Sequence, residues 1–351
     1  MDRTSRDILR FMAKGILMTL PVLLPALLFF VLADPYKVFA PASEYYPDPN
    51  QSHARVGLNK GMVTVTNYEE QLRKGARYNA FIFGSSISCY YDADTWAVLL
   101  GGKDVEPYHF DSSSESLEQM AEKVEYLDRT GAPLKYALVV LDPLIMTSET
   151  DNNSPMSVAP PQFHPGILHK LRYYYTFFRG ATNADFLKSY LAGMTSGEPT
   201  QIGRNPVFES QPIVYDPKRN QESIPEWDRM IASNPEAFYR EHPLLPTPEK
   251  PIESEQVIDG DKEKALKKTA ELFARHHTDY RIIIGPNRRK VALNRNDLQK
   301  LREIFGGGRV YDYSISHASD LEVDTLLYDN THYRPIYATK LLRLTYPAPT
   351  K

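Results

Sequence analysis

Compact apolar runs bounded by glycine or polar residues dominate the pattern of this chain. YNAFIFG at residues 78–84 ends on a glycine, and YALVVLD at 136–142 and YRIIIG at 280–285 repeat its form. A strand buried on both faces reads this way, because a parallel sheet is covered on both sides. Between these runs the apolar spacing becomes helical. Helices are predicted over about 114–130, 261–277 and 294–305. The first has Ser112 and Glu115 at capping-box spacing and Gly131 just past its end, and the last is closed by Gly306, Gly307 and Gly308. An extended segment at 105–110 and a short strand at 309–312 complete the alternation. Strand, helix, strand in succession implies right-handed crossovers. The expected fold class is therefore α/β, a doubly wound parallel sheet of about five strands.

Two stretches fall outside this alternation. Residues 15–33, GILMTLPVLLPALLFFVLA, carry no charge and follow Arg3, Arg6, Arg10 and Lys14. That is about the helix length needed to cross a hydrocarbon core of roughly 30 Å. The preceding cations leave the N-terminus in the cytoplasm under the positive-inside tendency. The expectation is a single-pass anchor in a bacterial-type inner or cytoplasmic membrane, with the body facing the periplasm or the cell exterior. Two other readings of the segment stay open. One is a cleaved signal peptide, with Val31, Leu32 and Ala33 near the cleavage point. The other is a core helix kinked by Pro21 and Pro25. The second stretch, about 145–257, lacks strand alternation and reads as a large, mostly helical or irregular insertion with an aromatic helix near 170–191. The expected organisation is an anchor at 1–34, a Pro- and Tyr-rich stalk at 35–77 with one short helix near Asn67, and an α/β body at 78–345.

Charge narrows the function classes. With 41 basic and 44 acidic residues, no global field favours a nucleic-acid partner. A single cysteine, Cys89, excludes an intrachain disulfide framework, and no Cys/His grouping has metal-ligand spacing.

In a doubly wound sheet the functional loops leave the carboxyl ends of the strands. After the first strand comes Gly84-Ser85-Ser86-Ile87-Ser88, a tight turn with a hydroxyl at a helix start, where backbone N–H groups can stabilise an oxyanion. Serine needs a base, and the base needs a group that fixes its tautomer. Asp329 and His332, three residues apart on one loop before Pro335, supply both.

These two blocks carry a resemblance. Phe83-Gly84-Ser85-Ser86-Ile87-Ser88 resembles the FGDSLS block of the SGNH/GDSL hydrolases with serine in place of its aspartate, and Asp329-x-x-His332 resembles their closing DxxH block. The order, serine first and Asp-x-x-His last, is the family's. The resemblance runs over about residues 78–342, interrupted by the insertion, and its two end blocks are its specific parts. It implies a flavodoxin-like SGNH fold with Ser86 as nucleophile, His332 as base and Asp329 as orienter; from the residues alone Ser85 is a second choice for the nucleophile. It also implies a serine esterase or O-acyltransferase that needs no cofactor and no metal. The anchored, extracytoplasmic members it is most similar to, the D-alanyl transfer protein of teichoic acid synthesis and exopolysaccharide O-acetyltransferase-like proteins, imply an acylated cell-envelope or secreted polysaccharide as partner. A membrane-bound O-acyltransferase is a second implied partner. The alternative is a catalytically inactive, membrane-anchored module that binds a glycan or serves such an acyltransferase.

The middle blocks depart from the family. Its second block has an oxyanion glycine, whereas Phe110-Asp111-Ser112-Ser113-Ser114 has none, leaving a backbone N–H of Ser112 or Ser113 for the task. Its third block has an asparagine, whereas Leu141-Asp142-Pro143-Leu144 does not. Asp142 is then either an active-site carboxylate or a turn residue before Pro143. Arg288 and Arg289 are candidates to hold an anionic polymer at the mouth of the site, or belong to a solvated loop. Tyr173, Tyr174, Tyr175, Phe177 and Phe178 are expected to pack the insertion onto the body, and Cys89 to be a small buried residue.

Overall fold

The computed structural model describes residues 3–46, 55–144, 146–147, 153–196, 208–209 and 211–347, apart from the side chains of 3–9, 16, 195–196 and 208–209. Parts of the insertion lie outside these residues. Five parallel strands form the central sheet: β1 (Ala80–Gly84), β2 (Pro107–His109), β3 (Tyr136–Leu141), β6 (Asp279–Ile284) and β7 (Val310–Asp312). Between β3 and β6 the insertion contributes a small antiparallel hairpin of β4 (Val214–Asp216) and β5 (Gln221–Ser223). The order across the central sheet is β7-β6-β3-β1-β2. The chain thus winds outward in both directions from β1 and β3, and the crevice at their carboxyl ends is the topological switch point of the fold.

Alternate residues of each strand serve opposite faces. Phe81, Phe83, Ala137, Val139, Leu141, Ile282 and Ile284 belong to one apolar cluster. It is covered by α2 (Lys60–Arg73), α4 (Leu117–Arg129), α9 (Gly260–Arg275) and α10 (Arg295–Phe305). Ala80, Ile82, Leu138, Val140 and Ile283 face the other cluster, with α3 (Ala93–Leu99) and α11 (Pro335–Thr345). The doubly wound α/β expectation holds, with strand and helix ends within a few residues of those read from the pattern. The cap of α4 differs: the side chain of Ser116 accepts from Gln119 N–H and that of Gln119 accepts in return, so this pair forms the capping box in place of Ser112 and Glu115.

The segment read as a stalk contains α2, which begins at Lys60 and puts Val65 and Tyr68 into the core. The insertion holds α5 (Ile167–Ala181), α6 (Ala184–Ser196), α7 (Pro225–Ser233) and α8 (Pro235–Glu241). Tyr173 and Phe177 are buried with Phe30 and Tyr36, while Tyr175 is exposed, so the aromatic helix packs chiefly against the N-terminal region. N-terminal to everything runs α1 (Arg3–Leu32), tied to the insertion by Phe29 against Tyr190 and Phe30 against Phe178. Among the described residues no helix is long and apolar enough to cross a membrane, so the fold does not support the expected transmembrane span.

Candidate active site

Local chemistry shapes the loop after β1. Gly84 has φ +146°, and a Cβ there would lie 2.5 Å from the carbonyl oxygen of Val140. Only glycine allows the chain to turn this close to β3. Ser85 is extended and Ser86–Tyr90 form a 3₁₀ turn in which Ser88 N–H and Oγ both donate to the Ser85 carbonyl, at 2.8 and 2.7 Å. Ser86 is the first residue of that turn, so its own N–H has no acceptor within the turn.

The partner loop is closed just as tightly. Leu327 and Tyr333 form an antiparallel bridge, and Tyr328 N–H donates to the His332 carbonyl at 2.8 Å. Inside the loop Asp329 Oδ1 accepts the backbone N–H groups of Thr331 (2.7 Å) and His332 (2.8 Å). Asp329 Oδ2 lies 2.8 Å from His332 Nδ1, and His332 Nε2 lies 2.9 Å from Ser86 Oγ. An ionised Asp329 accepts the Nδ1 proton, which leaves the Nε2 lone pair for the serine hydroxyl. Burial pushes the Asp329 carboxyl up, but the bonds from His332 and the two backbone N–H groups outweigh it and hold it below its ordinary value. The Tyr90 ring packs edge-on against the imidazole at 5.6 Å, limiting its rotation. Residues 246 positions apart in sequence thus meet at the switch-point crevice.

Ser86 and His332 open onto a cavity of about 230 Å³. Lys60, Asp111, Ser113 and Glu222 are among the other residues on its wall. Burial lowers the Lys60 ammonium, but the Glu222 and Asp111 carboxylates raise it further, so it remains a cation. Burial likewise raises Glu222, and Lys60 together with the Tyr46 hydroxyl brings it below its ordinary value. Among the described residues, no group of three or more His, Cys, Asp or Glu could hold a metal ion.

The other sequence candidates separate clearly. Ser85 and Asp142 face a different, 20 Å³ cavity beside Glu115, and Asp142 Oδ1 accepts the Leu144 N–H at 2.7 Å as a turn aspartate does. Ser112 donates its N–H to the Gly84 carbonyl at 3.1 Å and takes Lys123 Nζ on its hydroxyl at 2.8 Å, so it holds two loops together. Ser113 is the serine of that loop that reaches the cavity of Ser86 and His332, and among the described residues its N–H meets no backbone acceptor. Arg288 is buried elsewhere, donating to the carbonyls of Leu245 (2.7 Å) and Leu321 (3.4 Å) and pairing with Asp324 at 2.6 Å. Arg289 is exposed and does not line the cavity. Neither arginine reaches the Ser86–His332 pair. Cys89 is buried with its thiol pushed well up by desolvation, which makes it unreactive.

Beneath the serine loop lies a pair invisible in the pattern. Glu115 and Lys123, both about 1% exposed at the side chain, form an ion pair. Glu115 accepts the Gly84 N–H, and Lys123 donates to the Phe110 carbonyl at 3.0 Å. Burial pushes the Glu115 carboxyl up to about 7 despite Lys123. Asp228, on α7, braces the histidine loop from the insertion: it accepts Arg334 Nε at 2.6 Å and the Tyr328 hydroxyl at 2.7 Å. Sequence reasoning missed Lys60, Asp111, Glu222 and Asp228. The one signal available was Lys60 itself, a cation in the first turn of a helix, where the dipole disfavours it.

No protein-family model matches the chain, and no curated protein is similar to it at a significant level.

Proposed function

We propose that the chain is a serine esterase or O-acyltransferase of the SGNH/GDSL type, acting on acyl esters of a cell-envelope or secreted polysaccharide. One observation carries the chemistry: the continuous relay Ser86 Oγ, His332 Nε2, His332 Nδ1, Asp329, with links of 2.9 and 2.8 Å. Ser86 Oγ attacks the ester carbonyl carbon while its proton passes to His332 Nε2. The N–H groups of Ser86 and Ser113 hold the resulting oxyanion. Collapse breaks the ester C–O bond, and the departing alcohol takes the proton from His332. Water or an acceptor hydroxyl, deprotonated by the same imidazole, then releases the acyl group from Ser86 and regenerates the hydroxyl. Water makes the reaction hydrolysis; a sugar hydroxyl makes it transfer.

Location follows from α1. Phe11, Met12, Leu17, Met18, Val22 and Leu32 are each more than half exposed on this helix, an apolar surface well beyond what a soluble chain normally leaves to water. Arg10 and Lys14 flank Phe11 and Met12 in its N-terminal half. This favours attachment of α1 to a membrane, and an extracytoplasmic body is part of the same proposal. Flotation of the full chain with phospholipid vesicles tests it: Val22→Asp with Leu27→Asp abolishes co-flotation if α1 is the attachment element, and unchanged flotation removes it from that role.

A fluorophosphonate probe tests the catalytic reading. The folded chain is labelled at Ser86, and Ser86→Ala and His332→Ala abolish labelling. A folded chain that takes no label is a binding module instead.

A further inference from the structure

The wall of the catalytic cavity contains an arrangement that stability does not explain. Lys60 is in the first turn of α2, where the helix dipole disfavours a cation, and it is only 5% exposed. Its counter-charge comes from the insertion, 162 residues away: Glu222 Oε1 lies 2.7 Å from Lys60 Nζ. Tyr46 donates its hydroxyl to the same oxygen. A buried ion pair contributes little net stability compared with well-packed apolar residues of the same volume. Both members nevertheless line the cavity that holds Ser86 and His332, and Asp111, 1% exposed, joins them there.

What this wall can recognise follows from its chemistry. One proton of the Lys60 ammonium is used on Glu222, and both bonds to the glutamate end on Oε1, so Oε2 takes neither. Arg55, stacked 4.4 Å over the Tyr46 ring, brings a second cation to the cavity, and Asp111 a second anion. Among the described residues charges of both signs face the cavity, which favours a neutral ligand over an ion. The wall offers a donor, Lys60, beside acceptors, Glu222 and Asp111, which suits hydroxyl groups, each of which both donates and accepts. An alkyl chain placed there would press hydrocarbon against charges that need polar contacts.

We propose that Lys60, Glu222 and Asp111 form a specificity subsite that reads the hydroxyl groups of a neutral sugar or polyol whose short-chain ester is opened at Ser86. The proposal rests on the serine-esterase reading and narrows it: the polar wall binds the alcohol portion, and the acyl group is of acetyl size.

The test compares two esters on the full chain. 4-Nitrophenyl acetate has no sugar, whereas 6-O-acetylglucose presents hydroxyls to the wall. Lys60→Met with Glu222→Gln neutralises the pair without stranding one buried charge; Asp111→Asn is the second variant, and fluorophosphonate labelling of Ser86 checks that each remains folded. Losing one hydrogen bond to a charged group lowers kcat/KM for 6-O-acetylglucose by about 10- to 100-fold, chiefly through KM. The loss on 4-nitrophenyl acetate is about tenfold smaller than the loss on 6-O-acetylglucose, and wild type discriminates strongly against 4-nitrophenyl octanoate. Equal loss on both acetyl esters, or no loss on either, overturns the subsite. Saturation-transfer NMR of 6-O-acetylglucose on Ser86→Ala supplies an arm independent of turnover. If wild type fails to turn over either ester, the catalytic reading falls, while sugar binding that the pair variant abolishes still upholds the subsite and its absence refutes it.

Discussion

Asp329→Asn is the sharpest probe of the relay because the surrounding bonds decide how the new amide must sit. Oδ1 of Asp329 serves two backbone donors, Thr331 N–H at 2.7 Å and His332 N–H at 2.8 Å, and Oδ2 serves His332 Nδ1 at 2.8 Å. An asparagine that turned its NH₂ toward the backbone would lose both loop bonds and face donor with donor, at about 1–3 kcal/mol for each unsatisfied group. The amide oxygen therefore stays on the backbone and the NH₂ meets Nδ1. A donor there stabilises the imidazole tautomer whose proton is on Nε2, and that nitrogen can no longer accept from Ser86 at 2.9 Å. In a serine triad the wrong tautomer costs about 10⁴ in kcat, or about 5.5 kcal/mol of transition-state stabilisation. The assay is hydrolysis of 4-nitrophenyl acetate alongside the rate of fluorophosphonate labelling, with thermal unfolding as control. Tm should remain close to wild type, because both backbone bonds survive. A folded Asn variant within about tenfold of wild type would show that Asp329 does not set the tautomer, and the relay as drawn would fail.

Three further outcomes follow from the same bonds. Gly84→Ala forces a Cβ to 2.5 Å from the Val140 carbonyl at φ +146°, so it costs on the order of 1–3 kcal/mol in backbone strain alone and slows labelling of Ser86; urea unfolding and labelling kinetics check both. Arg288→Ala removes donors to two carbonyls and the partner of Asp324 outside the cavity, lowering stability by about 2 kcal/mol while leaving the labelling rate of the folded protein unchanged. Glu115, whose folded carboxyl is raised from 4.5 to about 7, contributes stability that is present below pH 4.5 and lost as pH rises through about 7. Across that window the unfolding midpoint of wild type therefore falls relative to Glu115→Gln, and a constant difference would refute the assignment.

What the sequence disclosed follows a physical division. β1, β3 and β6 are covered on both faces, so their apolar runs are continuous and unmistakable. The serine turn and the Asp-x-x-His loop are each short, and their chemistry is carried by residues within a few positions of one another. The second half of α2 is the short helix read near Asn67, and its first half was hidden because much of what α2 buries is polar. Thr64 Oγ1 donates to the Asp111 carbonyl at 2.9 Å and Asn67 Nδ2 to the Pro217 carbonyl at 2.7 Å, partners 47 and 150 residues away, and an apolar period cannot register a face built on distant hydrogen bonds. The capping box slipped by four residues because Ser112-x-x-Glu115 and Ser116-x-x-Gln119 have the same spacing, and only the closed loop shows that Ser112 is occupied with Gly84 and Lys123. The buried charges near Ser86 escaped for a related reason: each pairs with a partner whose identity depends on the fold.

The insertion then acquires a role that its composition did not suggest. Its β4–β5 turn places Asn220, whose Nδ2 donates to the His109 carbonyl at 2.6 Å, against the second block, and two residues later Glu222 reaches the cavity. Two residues beyond β5, Pro225–Ser233 opens with Asp228 in its first turn, gripping both Tyr328 and Arg334 on either side of the Asp-x-x-His loop. A stretch of only nine residues, 220–228, therefore touches the cavity wall and the support of the base. On the proposed reading, the loop after β1 supplies the nucleophile and the loop before α11 the imidazole. To the proposed subsite the insertion contributes Glu222, beside Lys60 of α2 and Asp111 after β2, and its Asp228 braces the histidine loop. On the proposed reading, changes at Glu222 alter which ester is accepted, whereas changes at Asp228 act through the support of the base and alter how fast any ester is opened.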